Sequence, residues 1–348
     1  MKVGLLGYGQ SGKRTLFSLL TNRDIPPGRS PSEPFEGVAP VRDARVDALS
    51  KMFNPKKTTY AENHIVLCPD IVVGSDKRDW LEPARSCDLL CILIRSFASG
   101  QVYHPAGSVD ARRDHANLRA ELLLTDLETI EKRLDRISKE KRAGQTPGQV
   151  LAEKTLQKCH AALEEEKPLA DLPLDAHELA SIRSLGFLTL KPALWAHNVD
   201  EDALGSRAGE ETADTSNVFI VSCLIESEIM KIEDMRERTE YLTSIGLDLP
   251  GPERLNHAAY EALGLMSFYT IGSDEVRAWA IRKGSLAPTA AGKVHTDIER
   301  GFIRVEVVKF DDLVELGSEK AARDAGRMNT RGKDYVMEDG DICHFLFN

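Results

Sequence analysis

A glycine-framed segment at the N-terminus constrains this chain more than any other feature. The apolar run Lys2-Val3-Gly4-Leu5-Leu6 suits a buried parallel strand, and it leads through Gly7-Tyr8-Gly9-Gln10-Ser11-Gly12-Lys13-Arg14-Thr15 into the helical pattern Leu16-Phe17-Leu19-Leu20. Gly7, Gly12 and Lys13 have Walker A spacing. Strand, glycine loop and helix in that order make a P-loop, in which backbone N–H groups and a helix N-terminus cradle phosphate while the lysine neutralises its outer oxygens. The phosphate-binding candidates are therefore Gly9, Gln10, Ser11, Gly12, Lys13, Arg14 and Thr15.

Arg14 departs from the motif, because it stands where Ser or Thr normally supplies a hydroxyl to Mg²⁺. A guanidinium can contact phosphate as a fixed cation or point to solvent, but it cannot ligate a metal. Thr15 comes one residue late, a rotation of roughly 100° around the helix.

The remaining sequence narrows the class. A chain of 348 residues with 42% hydrophobic content can bury a sizeable core and favours two or three domains. Its 55 acidic against 45 basic residues give a net charge of −10, so any nucleic-acid contact must be regional, and DNA is not an expected partner. The six cysteines, Cys68, Cys87, Cys91, Cys159, Cys223 and Cys343, lack zinc-site spacing and suggest buried free thiols. With no signal-peptide pattern and no bilayer-length apolar run, the expectation is a cytoplasmic protein in a reducing compartment, without a membrane partner.

Leu89-Leu90-Cys91-Ile92-Leu93-Ile94 and Ala193-Leu194-Trp195-Ala196 suit further buried strands. Between them, helical periodicity runs through Leu118, Leu122, Leu127, Ile130, Leu134 and Ile137, and again through Leu151, Leu156 and Leu163, with a turn at Gln145-Thr146-Pro147-Gly148. An antiparallel helical hairpin is expected there, with Lys139, Lys141 and Arg142 near its tip as a solvated face. Past Phe268, alternating runs such as Phe302–Val308 and Ile342–Phe347 predict a small mixed sheet. His295 is expected to pack against that sheet rather than to act in catalysis. No Ser/His/Asp or Cys/His nucleophile arrangement is evident, and no catalytic residue is assigned.

Several segments resemble, in order along nearly the whole chain, the YchF family of Obg-like ATPases. They are Val38-Ala39-Pro40-Val41 through Pro55-Lys56-Lys57, Gly107-Ser108-Val109-Asp110, Thr125–Leu134, Lys191-Pro192-Ala193 with Asn198-Val199-Asp200-Glu201, Asp274–Trp279, Ala291–Asp297 and Glu338-Asp339-Gly340-Asp341. The resemblance implies an α/β P-loop G domain with a mostly parallel sheet (1–112 and 189–266), a helical hairpin insert (113–188) and a C-terminal TGS domain of ubiquitin-like β-grasp fold (267–348).

It also implies that Asn198, Val199 and Glu201 form the base-reading loop, with Ser222 as a further contact. The family's Asn-x-x-Glu replaces the Asn-Lys-x-Asp of GTPases, so the nucleotide is ATP or GTP. Alternatively, Asn198–Asp202 is only a polar turn. Pro31 falls where the switch I threonine would meet Mg²⁺, and Asp70-Ile71-Val72-Val73-Gly74 departs from the family's Asp-Ile-Ala-Gly by a displaced glycine. Asp70 is a tentative metal residue, held through water or merely structural, and Mg²⁺ binding is expected to be weakened. By the same resemblance, ribosome or RNA is the expected partner, through the TGS domain and helical arm. Three functional readings follow in order: a nucleotide-binding regulator with weak or partner-dependent hydrolysis, a regulator that does not hydrolyse, and an interaction scaffold with a vestigial P-loop.

Overall fold

The structure is a computed structural model, and it describes residues 1–72, 74–100, 102–140, 146–204 and 218–348. Val73 of the expected switch II segment, and Lys141, Arg142 and Gln145 of the expected hairpin tip and turn, lie outside the described residues. Two units emerge: Met1–Gly37 with His64–Pro252, and Val38–Asn63 with Glu253–Asn348.

Along the chain the elements run β1 (Lys2–Leu6), α1 (Lys13–Thr21), β2 (Phe35–Val41), α2 (Ala44–Phe53), β3 (Lys57–Thr59), β4 (Ala61–Leu67), α3 (Leu81–Arg85), β5 (Leu89–Ser96), α4 (Ala111–Glu140), α5 (Pro147–Glu164), α6 (Ala176–Ile182), β6 (Ala193–Val199), β7 (Val218–Val221), α7 (Cys223–Ile229), α8 (Met235–Ser244) and α9 (Gly251–Ala262). There follow β8 (Leu265–Thr270), β9 (Glu275–Arg282), α10 (Ala287–Val294), α11 (Thr296–Arg300), β10 (Phe302–Lys309), α12 (Phe310–Leu316), α13 (Glu319–Asp324), β11 (Asn329–Arg331) and β12 (Asp341–Phe347).

The first sheet has the order β2-β4-β1-β5-β6-β7, and β1 pairs in parallel with both β4 and β5. β5–β6 and β6–β7 are also parallel. Both faces of such strands are covered, which is why β1 and β5 are nearly continuous apolar runs. Over this sheet, Leu6, Val66, Trp80, Leu90, Ile92, Leu118 and Trp195 share one core.

The helical insert has a separate core, in which Leu123, Ile130 and Ile137 of α4 pack with Leu156, Cys159 and Leu163 of α5. A capping box starts α5: the Thr146 hydroxyl accepts from Gln149 N, the Gln149 side chain accepts from Thr146 N, and Pro147 fills the first turn without wasting a donor. Asp126 of α4 is fully buried and accepts from Leu188 N, Thr189 N and Thr189 Oγ1 at 2.7–2.9 Å, tying the helix to the segment that re-enters the sheet. Burial raises its pKa, against the pull of those donors.

The second unit is built on the sheet β11-β10-β12-β8-β9-β3. β8–β9, β10–β12 and β10–β11 are antiparallel, whereas β12–β8 and β3–β9 are parallel, so the sheet is mixed. One core joins Phe268, Ile281, Val305 and Phe345 to Ala287, Ala290 and Ala291 of α10. Another joins Tyr269, Val276, Ala278 and Ile342 to Val46 and Leu49 of α2 and Leu313 of α12.

This division differs from the expected boundary at residue 267. Residues 38–63 belong to the second unit, where Lys57-Thr58-Thr59 adds a strand beside Glu275-Val276-Arg277. The unit's second segment begins at Glu253.

His295 also corrects an expectation. Its side chain is 62% exposed instead of packed on the sheet, and Nδ1 accepts from Asp297 N as the cap of α11. An imidazole beside Thr-Asp at a helix start satisfies an end N–H better than it fills a core. All six cysteines are buried and free. No helix among the described residues is long and apolar enough to cross a membrane.

Candidate functional site

The P-loop geometry explains its glycines. Gly7 has φ +138°, and a Cβ there would lie 2.3 Å from Leu93 O; Gly12 has φ +98°, and a Cβ would lie 2.3 Å from Asn198 Nδ2. Neither position admits a side chain. Gly7 O accepts from Ile71 N at 3.1 Å and from Lys13 Nζ at 2.5 Å, joining the ends of β1 and β4 to the lysine.

Lys13 sits on the first turn of α1 with its side chain 3% exposed, and Nζ lies 2.7 Å from Asp70 Oδ1. Burial lowers its pKa, while Asp70 opposes that shift. The Asp70 side chain remains 46% exposed. The ion pair is thus closed at the lysine and open at the carboxylate, an arrangement in which an incoming phosphate can take the place of Asp70.

A cavity of about 290 Å³ opens in front of this pair. Gln10, Ser11, Gly12, Lys13, Arg14 and Thr15 line it, together with Asp70 and with Arg29, Ser30, Pro31 and Glu33 from the segment between α1 and β2. The residues predicted for phosphate binding therefore converge on one space, with Gly9 beside them: a Cβ there would lie 3.1 Å from Asp70 Oδ2.

The predicted base-binding residues do not line this cavity. Asn198 is buried on β6, where Nδ2 donates to Ser11 O at 3.0 Å and Oδ1 accepts from Cys223 N at 2.9 Å. It braces the phosphate loop against the start of α7. Val199 is buried in the core of Ile225 and Ile229, Ser222 is buried ahead of α7, and Glu201 lies exposed on a short turn after β6. Asp200 holds that turn by accepting from Ala98 N at 3.0 Å. Arg95, itself buried, organises the neighbouring loop by donating to the carbonyls of Phe97, Ser99, Val102 and Tyr103.

Downstream of Asp70, Arg78 Nε donates to Glu121 Oε1 at 2.8 Å, and its two terminal nitrogens grip Glu128 at 2.8 and 3.1 Å. The segment after β4 is therefore fastened to α4. Buried Asp114, with His104 Nε2 at 2.9 Å and Arg113 Nη2 at 2.8 Å, fixes the start of that helix.

Residues 265–348 match a family model for the YchF-GTPase C-terminal region, described as a protein of unknown function (DUF933). Over its full length the chain is 36% identical to the ribosome-binding ATPase YchF of Escherichia coli O157:H7, covering 99% of that protein. The chain belongs to the YchF family. The ribosome-binding ATPase YchF of Bacillus subtilis is 35% identical, with 100% of this chain and 99% of that protein covered. The Obg-like ATPase 1 of Caenorhabditis elegans is 32% identical over all of this chain and 92% of its own length. The solved structure of the Schizosaccharomyces pombe YchF GTPase superposes with a TM-score of 0.84 at 29% identity, covering 99% of this chain and 97% of that one.

A YchF-type P-loop implies Mg²⁺ beside the phosphates, and the donors present here do not fit a protein-held ion. Arg14 offers only N–H donors, Pro31 has no hydroxyl, and Oδ1 of Asp70 is bound to Lys13. No group of three His, Cys, Asp or Glu side chains among the described residues is placed to hold a metal. Arg29 escaped the sequence reading altogether, because its turn into the cavity depends on the course of the loop and not on any spacing.

Proposed function

We propose that this YchF-family chain binds ATP or GTP at the P-loop cavity and acts as a ribosome- or RNA-associated regulator with weak or partner-dependent hydrolysis. The observation that carries the binding is Lys13: a buried cation on a helix N-terminal turn, facing a cavity and paired with a carboxylate that a phosphate can replace. Adenine or guanine recognition falls to the loop of Asn198, Val199 and Glu201 with Ser222, where Asn198 positions Ser11 and Glu201 is the exposed acceptor. The association with ribosomes is supported by the names of the E. coli and B. subtilis relatives. The C-terminal sheet region is proposed as the TGS domain and, with the α4–α5 arm, as the docking surface.

The link from nucleotide to arm runs through Asp70 and Arg78, which share one segment and bind Lys13 and α4 respectively. A non-hydrolysing regulator is the second reading, favoured by Arg14 and Pro31 on the cavity wall. Co-sedimentation of purified chain with ribosomes, without nucleotide and with ATP or GTP, tests the proposal. Pelleting that changes with nucleotide is expected, and a chain that stays in the supernatant in every condition at low salt refutes the ribosome association.

A further inference from the structure

Two arginines reach the phosphate cavity from different segments. Arg14 lies exposed on the first turn of α1 and has no hydrogen-bond or ion-pair partner among the described residues. Arg29 enters from the loop before β2. Its guanidinium stacks 4.6 Å over Phe35, and Nη2 donates to Pro34 O at 2.5 Å. Its Nε is buried with no partner among the described residues. Both guanidinium groups are thus fixed or free at the wall of one cavity with most of their donors uncommitted.

Lys13 is the third cation there, but its charge faces Asp70, which leaves Glu33 as the other carboxylate on the wall. Three cations against two carboxylates make the wall net positive, and the excess lies on the arginines. The positions that would hand oxygen ligands to Mg²⁺ carry Arg14 and Pro31 instead. Apart from the Asp70 and Glu33 carboxylates, the side-chain oxygens on the wall, those of Tyr8, Gln10, Ser11, Thr15 and Ser30, are neutral. Guanidinium is charged at every accessible pH, and its planar fork matches two phosphate oxygens at once, which makes it an effective replacement for a counter-ion.

We infer that Arg14 and Arg29 neutralise the outer phosphates of the nucleotide in place of a protein-coordinated divalent ion, so that nucleotide binding by this chain does not require Mg²⁺. The inference rests on the proposed nucleotide site and extends it to the source of charge. The two can fail separately.

The test is calorimetric titration of the full, nucleotide-stripped chain with ATP and with GTP, in Mg²⁺ and in excess EDTA. Wild type is expected to bind with affinities in the two media within about threefold of each other. Arg14→Ala and Arg29→Ala, both at positions open enough to leave the fold intact, are each expected to weaken binding in EDTA by roughly tenfold or more, the usual effect of losing charge-assisted hydrogen bonds. Arg14→Ser combined with Arg29→Ala should bind only with Mg²⁺. Wild-type binding that collapses in EDTA, or arginine variants that bind in EDTA as wild type does, overturns the inference and leaves the nucleotide site standing. Absence of binding in both media removes the site and the inference together.

Discussion

Replacing Asn198 with alanine should loosen the phosphate loop without replacing any residue of the cavity wall. In the structure its amide spans 187 residues of sequence to Ser11 O and also receives Cys223 N, in a buried environment. Truncation leaves one buried carbonyl and one buried N–H without partners, at a cost of about 1–3 kcal/mol each. The expected loss is therefore roughly 2–6 kcal/mol of stability in the first unit, by the mechanism of a broken buried network. Asn198→Asp keeps an acceptor for Cys223 N but sets a carboxylate oxygen against the Ser11 carbonyl, so it should be no better than alanine.

Urea unfolding followed by tryptophan fluorescence is the assay, since Trp80 and Trp195 share the first unit's sheet core and Trp195 lies three residues before Asn198 on β6. Nucleotide affinity should fall with stability, by roughly tenfold or more, because Ser11 loses its brace. A midpoint shift worth less than about 0.5 kcal/mol, together with unchanged affinity, would show that the bridge does not hold the loop.

Two further outcomes follow from buried groups and from the division of the chain. His197 is buried beside Ser96 and His115, and burial, followed by the charge of His115, lowers its pKa from the ordinary 6.5 to about 4. The neutral form is favoured in the fold, so the associated stability is complete above pH 6.5 and is lost as pH falls toward 4. At about 1.4 kcal/mol per pH unit the loss between pH 7 and 5 is roughly 2 kcal/mol, measurable as a urea midpoint shift that His197→Gln should flatten. A fragment of residues 267–348 should fail to fold natively. It cuts into β8 and lacks β3 and α2, whose Val46 and Leu49 cover Tyr269, Val276 and Ala278. Dispersed amide resonances from that fragment would contradict this assignment of the core.

The parts of this architecture that the sequence exposes are those fixed by local rules. Gly7 and Gly12 announce the loop because their backbone angles and close neighbours exclude any side chain, and the apolar runs of β1 and β5 announce a covered parallel sheet. The α4–α5 pair is legible from helical periodicity and the Thr146-Pro147 start. What local rules do not reach is distance in sequence. Asn198 can be picked out by its motif, but its bonds to Ser11 and Cys223 are set by the strand order.

The three-residue β3 carries no pattern that would send it to β9, so its pairing there is not legible in the sequence. His295 is hard to place from sequence because capping and packing use the same residue type, and only its position ahead of α11 separates them. Arg29 lies in a Pro- and Gly-rich stretch without periodicity, and its approach to the phosphate cavity is decided by its stacking on Phe35.

Nucleotide binding at the P-loop cavity depends most directly on Lys13. Equilibrium titration of fluorescent ATP onto wild-type chain and onto Lys13→Ala measures this directly. Saturable binding of one nucleotide per chain, displaced by unlabelled ATP or GTP and weakened roughly tenfold or more by the substitution, is the predicted result. Equal affinity in the two proteins, or no saturable binding by wild type, would contradict it.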